Sequence, residues 1–128
     1  MLYREAPLNG IWEGSGNVIC LDVLRTLAKD PRAREVLDRE LDAVAGQDRQ
    51  YDAALQSHRT RWRGLPSEEE ARWFVEGTAC LLTASILIQH APEEISGAFV
   101  ATRLSGQRGR VYGSVSKQST RAILARLG

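Results

Sequence analysis

Apolar residues recur along this chain at intervals of three and four, the repeat of one helix face. No segment keeps up the strict alternation of a half-buried strand for long. The spacing predicts a first helix from Ser15 or Gly16 to Lys29, with Val18, Leu21, Val23, Leu24 and Leu27 as its apolar stripe. Asp30-Pro31 then ends one helix and opens the next, with Asp30 as N-cap and Pro31 at the first helical position. The second helix runs from Pro31 to about Ala45, with Val36, Leu37, Leu41 and Val44 on one side and mixed charges elsewhere. Gly46-Gln47 is a break or a soft spot. A third helix follows from about Asp48 to Arg63, carrying Tyr51, Leu55 and Trp62. Gly64-Leu65-Pro66 is a firm boundary. Ser67 with Glu70 three residues on reads as a capping box for a fourth and most apolar helix, which ends near His90. Pro92-Glu93-Glu94 opens a fifth, to about Leu104. A basic loop over 105–110 and a last short helix, roughly Ser116 to Leu127, close the chain. The expected fold is all-α, an antiparallel helical bundle with short loops.

The chain has 128 residues, enough for one domain with an ordinary core. A hydrophobic share of 43% with 26% charged residues is that of a soluble globular protein. The net charge of +1 points to neither nucleic acid nor membrane, but its distribution is uneven. Residues 101–128 hold six basic residues and no acid, whereas residues 1–100 hold eleven basic and sixteen acidic ones. Cys20 and Cys80 lie in apolar helical runs, so they are expected as buried core thiols in a reducing, cytoplasmic compartment. No spacing of Cys or His indicates a metal site. The N-terminus lacks the pattern of a signal peptide. The uncharged stretch 77–92 reads as a buried core helix, too short and mixed to span a bilayer, so no membrane partner is expected. His58 and His90 are expected to be solvated or hydrogen-bonded, and Trp62 and Trp73 to pack.

The most unusual placement of a charge is Glu13, between Ile11-Trp12 and Gly14-Ser15-Gly16-Asn17. It stands at a loop-to-helix junction beside bulky apolar neighbours. Desolvation there raises a carboxyl pKa, which suits a general base. By position alone the better reading is an acid that favours the positive end of the first helix; the full motif around it reverses that. Ser15 has no histidine near it and reads as a cap.

The run Tyr3-Arg4-Glu5, Pro7, Asn9, Ile11-Trp12-Glu13-Gly14-Ser15-Gly16-Asn17, continued by Cys20-Leu21-Asp22-Val23-Leu24-Arg25, resembles the acyl-CoA dehydrogenase family. Within that family it resembles the alkylation-response branch, the AidB-like flavoproteins, and Gly46-Gln47-Asp48-Arg49 agrees. The resemblance implies that Glu13 is the base that takes the α-proton of an acyl-CoA thioester while the β-hydrogen leaves as hydride to FAD. The Glu13 N–H would then help polarise the thioester carbonyl. It further implies flavin contacts from Ile11, Trp12, Glu13, Gly14, Ser15, Gly16, Asn17 and Leu21, with helix-start amides toward the nucleotide. Arg25, twelve residues after Glu13, would lie near the site and lower the basicity of Glu13 if the two pair. Because the motif begins at residue 3, the resemblance also implies that these residues are the C-terminal helical domain of a longer flavoprotein. That parent would have N-terminal helical and middle β domains and would be a homotetramer. The 128 residues alone are then expected to be inactive, and to dimerise through exposed apolar faces.

The AidB-like branch also implies double-stranded DNA as a partner. Arg103, Arg108, Arg110, Lys117 and Arg121 in the tail are candidates for phosphate contacts, with Arg59, Arg61 and Arg63 as a second cluster. No DNA-reading motif is present. On charge pattern alone, a solvated basic face is the better reading of the tail, and the resemblance brings the two near parity.

Overall fold

At the first helix boundary, Asp30 has extended backbone and its carboxylate accepts from the Arg32 N–H at 2.9 Å. That bond satisfies an amide the helix itself leaves without a partner. Pro31, next in line, has no N–H to lose. The structure, a computed structural model, describes residues 16–107 and 120–125. Within them, α1 spans Gly16–Lys29, α2 Pro31–Asp42, α3 Arg49–Arg61, α4 Ala71–His90 and α5 Glu93–Phe99. A wide π-helical turn, Val100–Leu104, prolongs α5, and α6 is Thr120–Leu124. Among the described residues there is no strand. The all-α expectation holds.

Several boundaries differ from the expected ones for local reasons. Helix α2 stops at Asp42, before Ala45, and the chain turns through Gly46 at φ 81°. That left-handed conformation favours glycine. The Gly46 N–H donates to both carboxylate oxygens of Asp52 at 3.2 Å, which fastens the turn to α3. Asp48 caps α3, accepting from the N–H groups of Gln50 at 2.7 Å and Tyr51 at 2.9 Å. The expected capping box at Ser67 does not form: Glu68–Glu70 is a 3₁₀ turn and the Ser67 side chain makes no capping bond.

Helix α4 is the centre, with α1, α2, α3, α5 and the π-turn all packed against it. One core cluster joins Leu41 and Val44, Tyr51 and Leu55, Leu81 and Ala84, and Val100. A second joins Cys20, Leu24 and Leu27 of α1 to Ala71 and Phe74 of α4. Side-chain neighbours along α3 and α4 fall in opposite order: His58 against Thr78, and Trp62 against Phe74. These two helices are therefore antiparallel. Their close approach explains Gly77, where a Cβ would come within 2.9 Å of His58 Nδ1. By length and hydropathy the longer segment Glu68–His90, which contains most of the uncharged stretch 77–92, is sufficient to cross a bilayer. Its packing against four other helices gives it the place of a core helix.

Polar groups in the core are satisfied. Tyr51 is fully buried and its hydroxyl donates to the Leu41 carbonyl at 2.7 Å. Burial is the main reason its pKa is pushed up to about 12. Ser85, equally buried, donates to the Glu40 carbonyl at 2.7 Å and ties α4 to α2.

Four side chains depart from their expected places. Val18 and Val36 are exposed, because the buried residues of α1 are Cys20, Leu24 and Leu27, and those of α2 and the turn after it are Leu41 and Val44. Trp73 is 67% exposed and does not pack in the core. Cys20 is buried as expected, but Cys80 is only half-buried, at the edge of a cleft.

Candidate functional site

The first turn of α1 contains no acidic residue, so its positive end is not neutralised from within. Gly16 and Asn17 are exposed there. Arg72, in the first turn of α4, reaches across to them. Its Nη1 donates to Asn17 Oδ1 at 3.0 Å, and its Nη2 lies 3.0 Å from where a Cβ on Gly16 would stand. A glycine lets this guanidinium lie against the helix start. The result is an exposed patch of helix-start amides with a cation beside them, an arrangement suited to a phosphate.

Of the residues expected to meet a flavin, the structure brings together Gly16 and Asn17 at this patch and places Leu21, half-buried, one turn further along α1. Ile11, Trp12, Glu13, Gly14 and Ser15 lie outside the described residues. Arg25 is exposed and ion-paired with Asp22 of its own helix at 3.0 Å. Arg72 was not among the expected site residues. A signal for it was present, since an arginine in the first turn of a helix opposes the helix dipole and so needs a partner from elsewhere.

Of the residues expected to meet nucleic acid, Arg103 and Arg121 are exposed and make no ion pair among the described residues. Arg108, Arg110 and Lys117 lie outside the described residues. The second expected cluster is largely committed to the protein itself. Arg59 bonds Asp42 at 2.8 and 3.1 Å and reaches Asp38 at 3.5 Å. The Arg59 guanidinium holds the Asp42 carboxyl below its usual range, and Asp42 in turn raises Arg59. Arg61 lies 3.9 Å from Glu70, with its guanidinium 4.6 Å from the Trp62 ring centre and 5.2 Å from that of Trp73.

A cleft of about 930 Å³ opens between α3, α4 and the π-turn. Its exposed lining includes Arg49, Ala53, Arg61, Trp73, Glu76, Arg103 and Ser105, and its more buried lining Ala54, Gly77 and Leu81. His58 closes one wall. It is half-buried, bonded to Thr78 Oγ1 at 3.2 Å and stacked on Phe74 with 5.4 Å between ring centres, as its expected satisfied role requires. Burial, with Arg59 and Arg61 nearby, lowers its pKa and keeps the ring neutral. Among the described residues, no three His, Cys, Asp or Glu side chains come together as metal ligands.

No protein-family model matches the chain. Over 108 residues it is 36% identical to a protein of Escherichia coli (strain K12) described as "Putative acyl-CoA dehydrogenase AidB". The match covers 84% of this chain and 20% of that relative. The chain thus spans about a fifth of its relative's length, and the similarity to that acyl-CoA dehydrogenase relative extends over most of this chain.

Proposed function

From a chain that is similar to an acyl-CoA dehydrogenase relative over 84% of its length, we propose that these residues form the C-terminal helical domain of an FAD-dependent flavoprotein of the AidB-like type. The reaction class is α,β-dehydrogenation of an acyl-CoA thioester. The observation that carries this reading is the 36% identity to that relative. The exposed start of α1 supports it, because Gly16, Asn17 and Arg72 offer amides and a guanidinium to a nucleotide phosphate. Bound FAD supplies the hydride acceptor. Glu13 takes the α-proton onto its carboxylate, and its N–H donates to the thioester carbonyl as charge develops on the oxygen. Ile11 and Trp12, its neighbours in the sequence, are of the apolar kind that desolvates a carboxylate and raises its basicity. Arg25 is assigned a place near the site by resemblance alone, and any effect on Glu13 competes with its ion pair to Asp22. In this reading N-terminal helical and middle β domains supply the acyl pocket and most FAD contacts, the whole protein is a cytoplasmic homotetramer, and the 128 residues alone do not turn over substrate.

The test is Glu13→Gln in the protein that carries these residues together with its preceding domains. Acyl-CoA-dependent bleaching of flavin absorbance should slow by about 10²-fold or more, the scale of a lost general base, with flavin content unchanged. Bleaching at the parent rate would remove Glu13 as the base.

A second reading, non-enzymatic binding of double-stranded DNA beside a vestigial flavin site, is favoured by one observation. Arg103 and Arg121 are exposed with no ion pair among the described residues, within a tail that holds no acid. Arg103→Gln with Arg121→Gln should then weaken duplex binding and flatten the log–log salt slope by about one per arginine. An unaltered slope would leave the tail as a solvated face.

A further inference from the structure

We propose that the cleft along α3 and α4 is a docking groove for an acidic amphipathic helix of a partner protein, one that carries carboxylates about three turns apart beside an apolar face. The groove is separate from the start of α1, and the inference does not depend on the flavin reading. Its length is set by α3. Arg49 and Arg61 both line the cleft, and at the helical rise per residue they stand about 18 Å apart. Between them the exposed α3 lining is Gln50, Ala53 and Ser57, mostly short side chains. Across from these, Gly77 of α4 is kept bare by its contact with His58. Two packed helices that present such small groups leave a furrow parallel to their axes, and a third helix seats there at an axis separation of about 8–10 Å. Ala54, Leu81 and Leu104 supply the more buried apolar lining.

The charges select the partner. Among the described residues, three arginines line the groove against one carboxylate, that of Glu76. Arg49 and Arg103 also line a second recess together, so both belong to the end of the groove at the start of α3. Arg61 stands at the other end, beside Trp73. Arg61 comes no nearer than 3.9 Å to Glu70, beyond hydrogen-bond reach, and none of the three guanidinium groups donates a hydrogen bond among the described residues. Their donors are therefore available to carboxylates. Trp73 is the anchor at this end. It is 67% exposed, which forgoes the burial an indole normally gains, yet it is braced. The Arg61 guanidinium lies 5.2 Å from its ring centre and 4.6 Å from that of Trp62. An indole and an arginine side by side are the residue types in which interface binding energy concentrates. A DNA duplex would meet the arginines, but it keeps its bases stacked inside and brings little apolar surface to Ala53, Leu81 and Leu104. An amphipathic helix offers both the charge and the apolar face.

The experiment measures fluorescence anisotropy of labelled helical peptides with the full chain at low salt. The probe has leucine and alanine on one face and glutamates about three turns apart. One control peptide has the same composition scrambled, and a second has lysines in place of the glutamates. The expected result is that the probe binds about tenfold or more tighter than either control, and that Trp73→Ala weakens it by about tenfold. Ala53→Trp, which fills the groove, should weaken it as well. Arg49→Glu with Arg61→Glu should reverse the preference, so that the lysine peptide binds better than the glutamate peptide. A variant that had merely lost structure would bind neither. All four positions are exposed, so these variants should keep the helical circular dichroism. Arg103 is left unchanged, which keeps this test apart from the duplex reading. Equal binding of the scrambled peptide, no binding of the probe, or no reversal of preference would overturn the proposal. A duplex whose binding falls with Trp73→Ala would give the groove to nucleic acid, and a dimer of the chain that Ala53→Trp dissociates would give it to a second copy; either result overturns the choice of partner. Failure of the Glu13 test would leave these affinities unmoved, which separates this proposal from the dehydrogenase reading.

Discussion

At the scale of single residues, the least replaceable contacts are those at the crossing of α3 and α4. Gly77 is there because a side chain would meet His58, and His58 cannot move aside while it stacks on Phe74 and bonds Thr78. The same confinement makes His58 a source of pH-dependent stability. Its pKa is lowered in the folded chain, first by burial and then by Arg59 and Arg61. Between the folded value and the ordinary value of 6.5, the unfolded chain binds more protons than the folded one. The stabilising contribution is therefore complete above 6.5 and is lost as pH falls below it toward the folded value. We expect the urea midpoint to fall between about pH 7.5 and about pH 5.5, and the fall to shrink in His58→Gln. Equal falls in both proteins would place the titration elsewhere. That window lies above the range of Asp42, whose lowered pKa contributes stability that is lost only as pH falls below the ordinary 3.8.

At the scale of elements, helix starts separate into those that the side chains specify and those that packing imposes. Asp30 was readable as a cap because a short carboxylate before a helical run accepts bonds from amides without partners, and it does so; Asp48, placed by the sequence only at the start of the third helix, does the same. Ser67 carries the same signal and makes no capping bond, because the chain tightens into a 3₁₀ turn before α4 begins. The consequence is measurable. Asp48→Ala should lower stability by about 1 kcal/mol, while Ser67→Ala should change it by less than about 0.5 kcal/mol, both in urea titrations. Comparable losses would mean that Ser67 caps α4 in solution. The wide turn at Val100–Leu104 shows the reverse situation. Helical periodicity carries the fifth helix on to Leu104 as expected, but nothing in that periodicity distinguishes an α-turn from a π-turn, since both put apolar residues on the inner side.

At the scale of the whole molecule, α4 joins two core clusters that share no buried residue. Phe74 belongs to one and Leu81 to the other, two turns apart on one rigid helix. Such a helix transmits loss of packing from one cluster to the other. Leu81→Ala, at a site 2% exposed, should cost about 2–5 kcal/mol. The shift should be the same whether unfolding is followed by helical circular dichroism or by Trp62 fluorescence in a Trp12→Phe, Trp73→Phe background. Trp62 packs on the other cluster, so a smaller shift at Trp62 would show that the clusters unfold independently.

Much of this architecture was determined by the sequence alone. Apolar spacing, proline, glycine and aspartate act locally, within a turn or two, so the five main helices and most of their ends follow from neighbours in the chain. The family resemblance was legible for a similar reason, because a motif such as Trp12-Glu13-Gly14 is a contiguous string. Tertiary structure alone decided which face of each amphipathic helix is covered. It left Val18, Val36 and Trp73 in solvent and spent Arg59 on Asp42. It also brought Arg72 to Asn17, and Arg103 to the same cleft as Trp73. Those pairs lie far apart in sequence, and a helix periodicity specifies that a stripe is apolar without specifying which partner will cover it. The balance between an exposed and a buried position is settled by how many neighbours arrive, and that is a property of the packed chain.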